Sequence, residues 1–225
     1  MTRLDVLRVF VGPDGRAGNP LGVFLDGAAV ATHQRQLVAH QLGFSETVFV
    51  DAVADGNASV AIFTPTRELA FAGHPTVGTS WLLRQVGREC QHLVVPAGSV
   101  EVWADGELAW IRARPEWVHA LEIVQHEDAA AVDALVSAEP GHGSTYVWAW
   151  IDEPAGVLRA RYFAPGLGIA EDEATGAAAV VMGARLGRPL TIHQGIGSEL
   201  HVRPADDGTV AVGGRVSRIE ERAFT

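Results

Sequence analysis

Three side chains in this sequence are of types that could move a proton: Glu46, His74 and Asp172. Glu46 lies in Phe44–Val50, where strand periodicity puts it on the same face as Phe44 and Val48. A carboxylate on such a face must be paired or carry a raised pKa, because burial penalises its charge. A raised pKa suits a general acid/base working near neutrality. The plainer alternative is a solvated strand end, where glutamate usually sits. His74 stands between Gly73 and Pro75 at the expected start of an apolar helix. A neutral imidazole there could donate a hydrogen bond or relay a proton, and a capping histidine is the competing reading. Gly73 would let a ligand approach the backbone. Asp172 is the middle of Glu171-Asp172-Glu173, which is also what a solvated turn looks like, with Glu173 placed to stabilise a helix N-terminus. Thr175, Gly176 and Ala177 follow as backbone donors, with Thr175 a candidate cap. Asn19, in Gly18-Asn19-Pro20, is either a polar substrate contact or a turn residue.

A duplication would bring these residues together. Phe63-Thr64-Pro65 recurs as Phe163-Ala164-Pro165, 100 residues on, and Val86-Gly87-Arg88 recurs as Leu186-Gly187-Arg188. Between those anchors each copy holds an acidic turn and then a small-residue, glycine-containing start to an apolar helix. A helix N-terminus exposes free N–H groups and the positive end of its dipole, so two equivalent starts make two anion sites. A two-fold repeat facing itself would place both around one cleft.

The pattern predicts strands over Leu4–Phe10, Leu21–Leu25, Ser45–Val50, Ala58–Thr64, Leu93–Val95, Ser99–Trp103 and Leu108–Arg112 in the first half. It predicts an amphipathic helix over Thr32–Leu42, with Leu37, Val38 and Leu42 apolar, Thr32 as N-cap and Gly43 as stop. A buried helix covers Pro75–Val86. The domain boundary falls near Arg114–Trp117, giving domains 1–114 and 115–214, with the tail 215–225 returning to the first. The second half predicts a helix over His126–Val136 and strands over Thr145–Ile151, Val157–Phe163, Leu190–His193, Glu199–Arg203 and Thr209–Gly213. Its buried helix covers Thr175–Leu186. A helix apolar all round must be buried all round, so each sheet should curl over its helix. Trp148 and Trp150 alternate on one strand and should fill core or a subunit interface.

Composition removes several classes. The chain has 225 residues, 48% of them apolar, enough for two cores. Its net charge of −10 opposes binding to nucleic acid or anionic membranes. No run reaches the ~18 apolar residues of a membrane span and no signal-peptide pattern opens the chain, so a cytoplasmic protein is expected. All 17 basic residues are arginine, which excludes lysine Schiff bases and the P-loop lysine. No G-x-G-x-x-G follows a strand. The nine histidines show no metal spacing, and Ser144 lacks a G-x-S-x-G elbow. The one cysteine, Cys90, can form neither a disulfide nor a thiol pair.

Phe63-Thr64-Pro65, the run from Glu68 through Ala72-Gly73-His74-Pro75-Thr76 to Gly78, Ser45-Glu46-Thr47, Gly18-Asn19-Pro20 and Glu171-Asp172-x-Ala174-Thr175-Gly176 together resemble the phenazine-biosynthesis PhzF-like isomerases, over nearly the whole chain. The resemblance implies a diaminopimelate epimerase-like α+β fold. Its two similar domains would each be a mixed sheet curled around a central buried helix, with the active site between them. It implies no metal or organic cofactor and a homodimer. It makes Glu46 the catalytic acid/base and His74 and Asp172 its supporting polar residues, with Gly73, Gly176 and Ala177 near the substrate. The family reaction moves a proton on a dihydro-hydroxyanthranilate. This chain departs at Ala177, where the family often has serine, and in a shorter second half. The expected function is therefore proton transfer on a small carboxylic acid by a cofactor-independent isomerase. An amino-acid epimerase, or a small-acid binding protein that has lost the chemistry, is the alternative.

Overall fold

The computed structural model describes residues 2–136, 143–165 and 169–224; Thr225, the end of the expected tail, lies outside them. The first half runs β1 (Thr2–Val11), β2 (Asn19–Phe24), α1 (Thr32–Leu42), β3 (Glu46–Ala54), β4 (Asn57–Phe63), β5 (Glu68–Leu69), α2 (Gly73–Gln85), β6 (His92–Val95), β7 (Gly98–Asp105) and β8 (Leu108–Ala113). The second runs β9 (Glu122–Gln125), α3 (Ala129–Asp133), β10 (Thr145–Asp152), β11 (Val157–Ala164), β12 (Ile169–Asp172), α4 (Gly176–Leu186), β13 (Leu190–Gln194), β14 (Ser198–Pro204) and β15 (Val210–Phe224).

The strands form one path, β1-β2-β3-β4-β6-β7-β8-β15-β14-β13-β11-β10-β9. From the seam between β8 and β15 the path reads the same in both directions for six strands, and β1, the seventh on the first side, has no counterpart. β2 and β3 pair parallel, as do β9 and β10. β4 pairs antiparallel with β3 and parallel with β6, and β11 does the same with β10 and β13. β5 caps β4 as β12 caps β11. The duplication read at an offset of 100 is thus a repeat of topology, and the fold is α+β with two similar halves. The copies differ at one place. β15 runs on past the seam and pairs antiparallel with β1, from Val11↔Arg215 to Thr2↔Phe224. That pairing closes the first half's sheet into a ring around α2, whereas the second half's sheet stays open over α4.

Neither central helix is buried all round. α2 leaves Ser80, Trp81 and Arg84 partly exposed, and α4 exposes Ala184 and Arg185. The rest of each packs into one continuous apolar core that runs through both halves. Trp148 sits in that core, with Trp150 edge-on to it at 5.1 Å and half-buried. Among the described residues no helix is long and apolar enough to cross a membrane.

Three further expectations change. The helix expected over His126–Val136 is only Ala129–Asp133, because Asp128 caps it late, accepting from the Ala131 N–H at 2.8 Å. Thr32 is not the N-cap of α1; Ala31 is, without a side-chain bond. Leu37 is 57% exposed, and the residue α1 buries instead is Arg35. Its guanidinium donates to the Val30 and Gly27 carbonyls and makes a two-pronged pair with Asp51. A periodicity count treats arginine as polar, so this inward anchor was not visible to it. The short strands β5, β9 and β12 were also missed, since each depends on a partner far along the chain rather than on its own alternation.

Candidate active site

α2 and α4 meet head to head. An ideal Cβ placed on Gly73 would lie 2.7 Å from the Gly176 carbonyl carbon and 3.0 Å from the Ala177 nitrogen. One placed on Gly176 would lie 3.0 Å from the Gly73 Cα. The two glycines let one helix start touch the other, a reason for a glycine at position 73 that its spacing alone did not show. Neither start carries a side-chain cap. Thr175 is the N-cap of α4, but its hydroxyl donates to Asp172 Oδ2 at 2.6 Å rather than accepting from the helix. First-turn N–H groups on both helices therefore have no acceptor within their own helix, and their positive dipole ends converge.

The structure places Glu46, His74, Asp172 and Asn19 at this junction. Glu46 opens β3, with 14% of its side chain exposed, and its Oε2 lies 3.4 Å from His74 Nε2. Both atoms are buried and lack a well-aligned hydrogen bond. Asn19 ties the two halves together. Its Nδ2 donates to Asp172 Oδ1 at 2.7 Å and to the Ala174 carbonyl at 3.0 Å, and its Oδ1 accepts from Ser45 Oγ at 3.1 Å. With both amide hydrogens used, the 3.5 Å approach of Nδ2 to His74 Nδ1 is not a third donation. The Pro20 carbonyl accepts from the His74 ring instead. A proton assigned to Nδ1 suits that contact and leaves the Nε2 lone pair facing Glu46, 3.4 Å away.

Burial dominates the electrostatics. It pushes Glu46 up to about 7, with the Ser45 hydroxyl pulling the other way. It pushes His74 down to about 4, opposed by the Asp172 charge and the Pro20 carbonyl. It raises Asp172 to about 6, an effect increased by Glu46 and opposed by His74, Thr175 and Asn19. At neutral pH the histidine is neutral and Glu46 is divided between its acid and its base form, which is the condition for passing a proton in either direction.

The three acids of the 171–173 run do three different jobs. Glu171 pairs with Arg161 at 2.7 Å. Asp172 turns into the site. Glu173 accepts from the Ile196 N–H at 3.0 Å and from Ser198 Oγ at 2.8 Å, so it fastens the turn between β13 and β14 rather than a helix start. Gln194 was missed by sequence reasoning. Its Nε2 donates to the Asp172 carbonyl at 2.9 Å and to Thr175 Oγ1 at 2.8 Å, and its Oε1 accepts from the Thr175 N–H. A buried glutamine closing an alternating strand was the available signal. Tyr162, also missed, lies opposite Asp172 in the pairing of β11 and β12.

These groups border a cavity of about 370 Å³. Glu46, Gly73, His74, Asp172, Thr175, Gly176 and Ala177 all line it; Asn19 stands behind it as a brace. Cys90 lies elsewhere, in a separate 140 Å³ cavity between α2 and β7. Among the described residues no three His, Cys, Asp or Glu side chains gather as metal ligands.

Comparison with known proteins agrees with this picture. The profile of the phenazine biosynthesis-like protein family, PhzC-PhzF, matches residues 12–112 and 130–203. The trans-2,3-dihydro-3-hydroxyanthranilate isomerase of Pseudomonas fluorescens is 31% identical over 80% of this chain and 81% of its own. An uncharacterized isomerase of Deinococcus radiodurans is 33% identical over 79% of this chain and 74% of its own. The solved structure of a phenazine biosynthesis protein of the PhzF family from Enterococcus faecalis superposes with a TM-score of 0.81 at 20% identity, covering 100% of this chain and 99% of that one. Fold and relatives together define an isomerase of the epimerase-like class. The chain belongs to the phenazine biosynthesis-like (PhzC-PhzF) family.

Proposed function

We propose that this chain is a cofactor-independent isomerase that moves a proton between carbons of a small carboxylic acid bound between its two halves. One observation carries the reading: in a 370 Å³ cavity at the meeting point of two helix N-termini, Glu46 is raised to about 7 and lies 3.4 Å from a neutral His74. The base form of Glu46 takes the proton from carbon. The acid form is then oriented by the His74 Nε2 lone pair and returns the proton at a second carbon. First-turn N–H groups such as those of Gly176 and Ala177 hold the substrate carboxylate and the enolate-like charge that develops on it. Asp172, fixed by Asn19, Thr175 and Gln194, sets the charge of the cluster.

The Pseudomonas relative named for trans-2,3-dihydro-3-hydroxyanthranilate makes a cyclic unsaturated acid the first substrate to try. Ala177 is where specificity should depart, because it offers no hydroxyl. A general base of this kind contributes about 10²–10⁴-fold. Glu46→Gln should therefore lose at least ~10²-fold in turnover and in solvent deuterium uptake while its circular dichroism and ligand binding stay unchanged; undiminished exchange would sink the assignment. The raised pKa of Asp172 favours one second reading, epimerisation at Cα with Asp172 as the opposite acid. Deuterium uptake with inversion at Cα would select it. The homodimer expected from the resemblance is part of this proposal, and sedimentation at micromolar concentration checks it.

A further inference from the structure

Acidic residues outnumber arginines here by 27 to 17, so an arginine finds a carboxylate or carbonyl easily. Among the described residues three arginines have neither an ion pair nor a side-chain hydrogen bond: Arg67, Arg84 and Arg185. Two of these have a local reason. Arg84 and Arg185 stand in the last turns of α2 and α4, where positive charge complements the helix dipole. Arg67 has none. It borders the cavity of the candidate site, and so does His119 from the segment after β8. Both side chains are exposed at the cavity rim, where partial burial and then the nearby Arg67 charge hold the His119 imidazole below its ordinary range. The backbone of Arg67 is also held in place. Thr64 Oγ1 accepts from the Arg67 N–H at 3.0 Å and the Thr66 N–H at 3.2 Å, and the Thr64 N–H donates to the Arg67 carbonyl at 2.8 Å. This pins the turn between β4 and β5 at the pocket edge. The same cavity has apolar lining in Phe44, Leu69, Phe71 and Ile169.

We propose that Arg67 and His119 form a second anion subsite in this pocket, so that the substrate is a small dianion with two acidic groups flanking an apolar carbon frame. This rests on the acid–base reading above, which places the first acidic group at the helix N-termini. Arg67 supplies the positive charge and His119 a hydrogen bond. An unpaired cation beside a second potential cation is the arrangement a ligand anion relieves.

The test is calorimetric titration of the wild-type protein with matched probes: succinate against butyrate, glutarate against pentanoate, adipate against hexanoate. At least one dicarboxylate should bind 10-fold or more tightly than its monocarboxylate partner. Arg67→Gln should bring that ratio below about 3, Arg67→Lys should keep part of it, and Glu46→Gln should keep all of it. Equal binding within every pair, a ratio that survives Arg67→Gln, or no binding of any probe overturns the inference. Monocarboxylate binding without dicarboxylate preference leaves the acid–base reading standing. A dicarboxylate preference with no solvent exchange on any bound acid does the reverse.

Discussion

A carboxyl group held near 7 is expensive to keep charged, and Glu46 should show this in the stability of the fold. Its ordinary value is 4.5 and burial raises it. A raised carboxylate contributes stability that is fully present below pH 4.5 and is lost as pH rises through 7. Asp172, raised from 3.8 to about 6, acts in the same direction at slightly lower pH. His74, lowered from 6.5 to about 4, acts in the opposite one: its contribution is present above 6.5 and lost as pH falls through 4. Glu46→Gln removes the first penalty and, with it, the part of the Asp172 shift that the Glu46 charge adds. Relative to wild type, that variant should gain on the order of 2 kcal/mol between pH 5 and pH 8, read by urea denaturation at each pH. A difference that stays flat would contradict the burial argument. At this scale the sequence was legible where residue type and local spacing agree: a glutamate in an apolar strand, a histidine before a proline, an aspartate at a helix entrance. Gln194, Ser45 and Tyr162 were not legible, because their parts depend on which strand end lies beside which helix start.

At the scale of elements, the two helix starts depend on a pair of glycines for their contact. Gly73→Ala forces a methyl against the Gly176 backbone at 2.7 Å, while Gly176→Ala meets the Gly73 backbone at 3.0 Å. Neither neighbour is a flexible side chain that could move aside. Gly73→Ala should therefore destabilise by about 2–3 kcal/mol and Gly176→Ala by about 1 kcal/mol, and both should slow exchange by parting Glu46 and His74 from Asp172. Thermal melts and deuterium uptake read the two effects, and a Gly73→Ala protein with wild-type stability and rate would remove the close contact as an explanation. The strands could be read because alternation is local, and α2 and α4 because their apolar runs are long. That two helices about 100 residues apart touch at their tips follows only once both sheets have curled, so the helix contact at Gly73 could not be read beside its place at the cavity.

For the whole molecule, the continuation of β15 is what distinguishes the two copies. Asp5 on β1 is fully buried, and burial raises its pKa although two guanidinium groups pull it down. Arg3 Nε lies 3.2 Å from its Oδ2, and Arg218 Nε, brought in by β15, lies 3.2 Å from its Oδ1. Arg218→Ala leaves a buried carboxylate with one partner, and a loss of about 1–3 kcal/mol is expected in urea denaturation. No loss would mean that Arg3 alone suffices. The return of the tail to the first half could be expected from the sequence, but the buried charge beneath it could not, because Asp5 alternates as an outward residue would. This return also has a consequence in time. β1 is made before its partner, and residues 215–224, which complete its pairing, come some 200 residues later; at ~5–20 residues per second this is on the order of 10–40 s on the ribosome. Throughout that interval β1 presents an open edge that another nascent chain could join. Arg3, Asp5 and Arg8, spaced along that strand, are charges of the kind that discourage such pairing until Arg218 arrives.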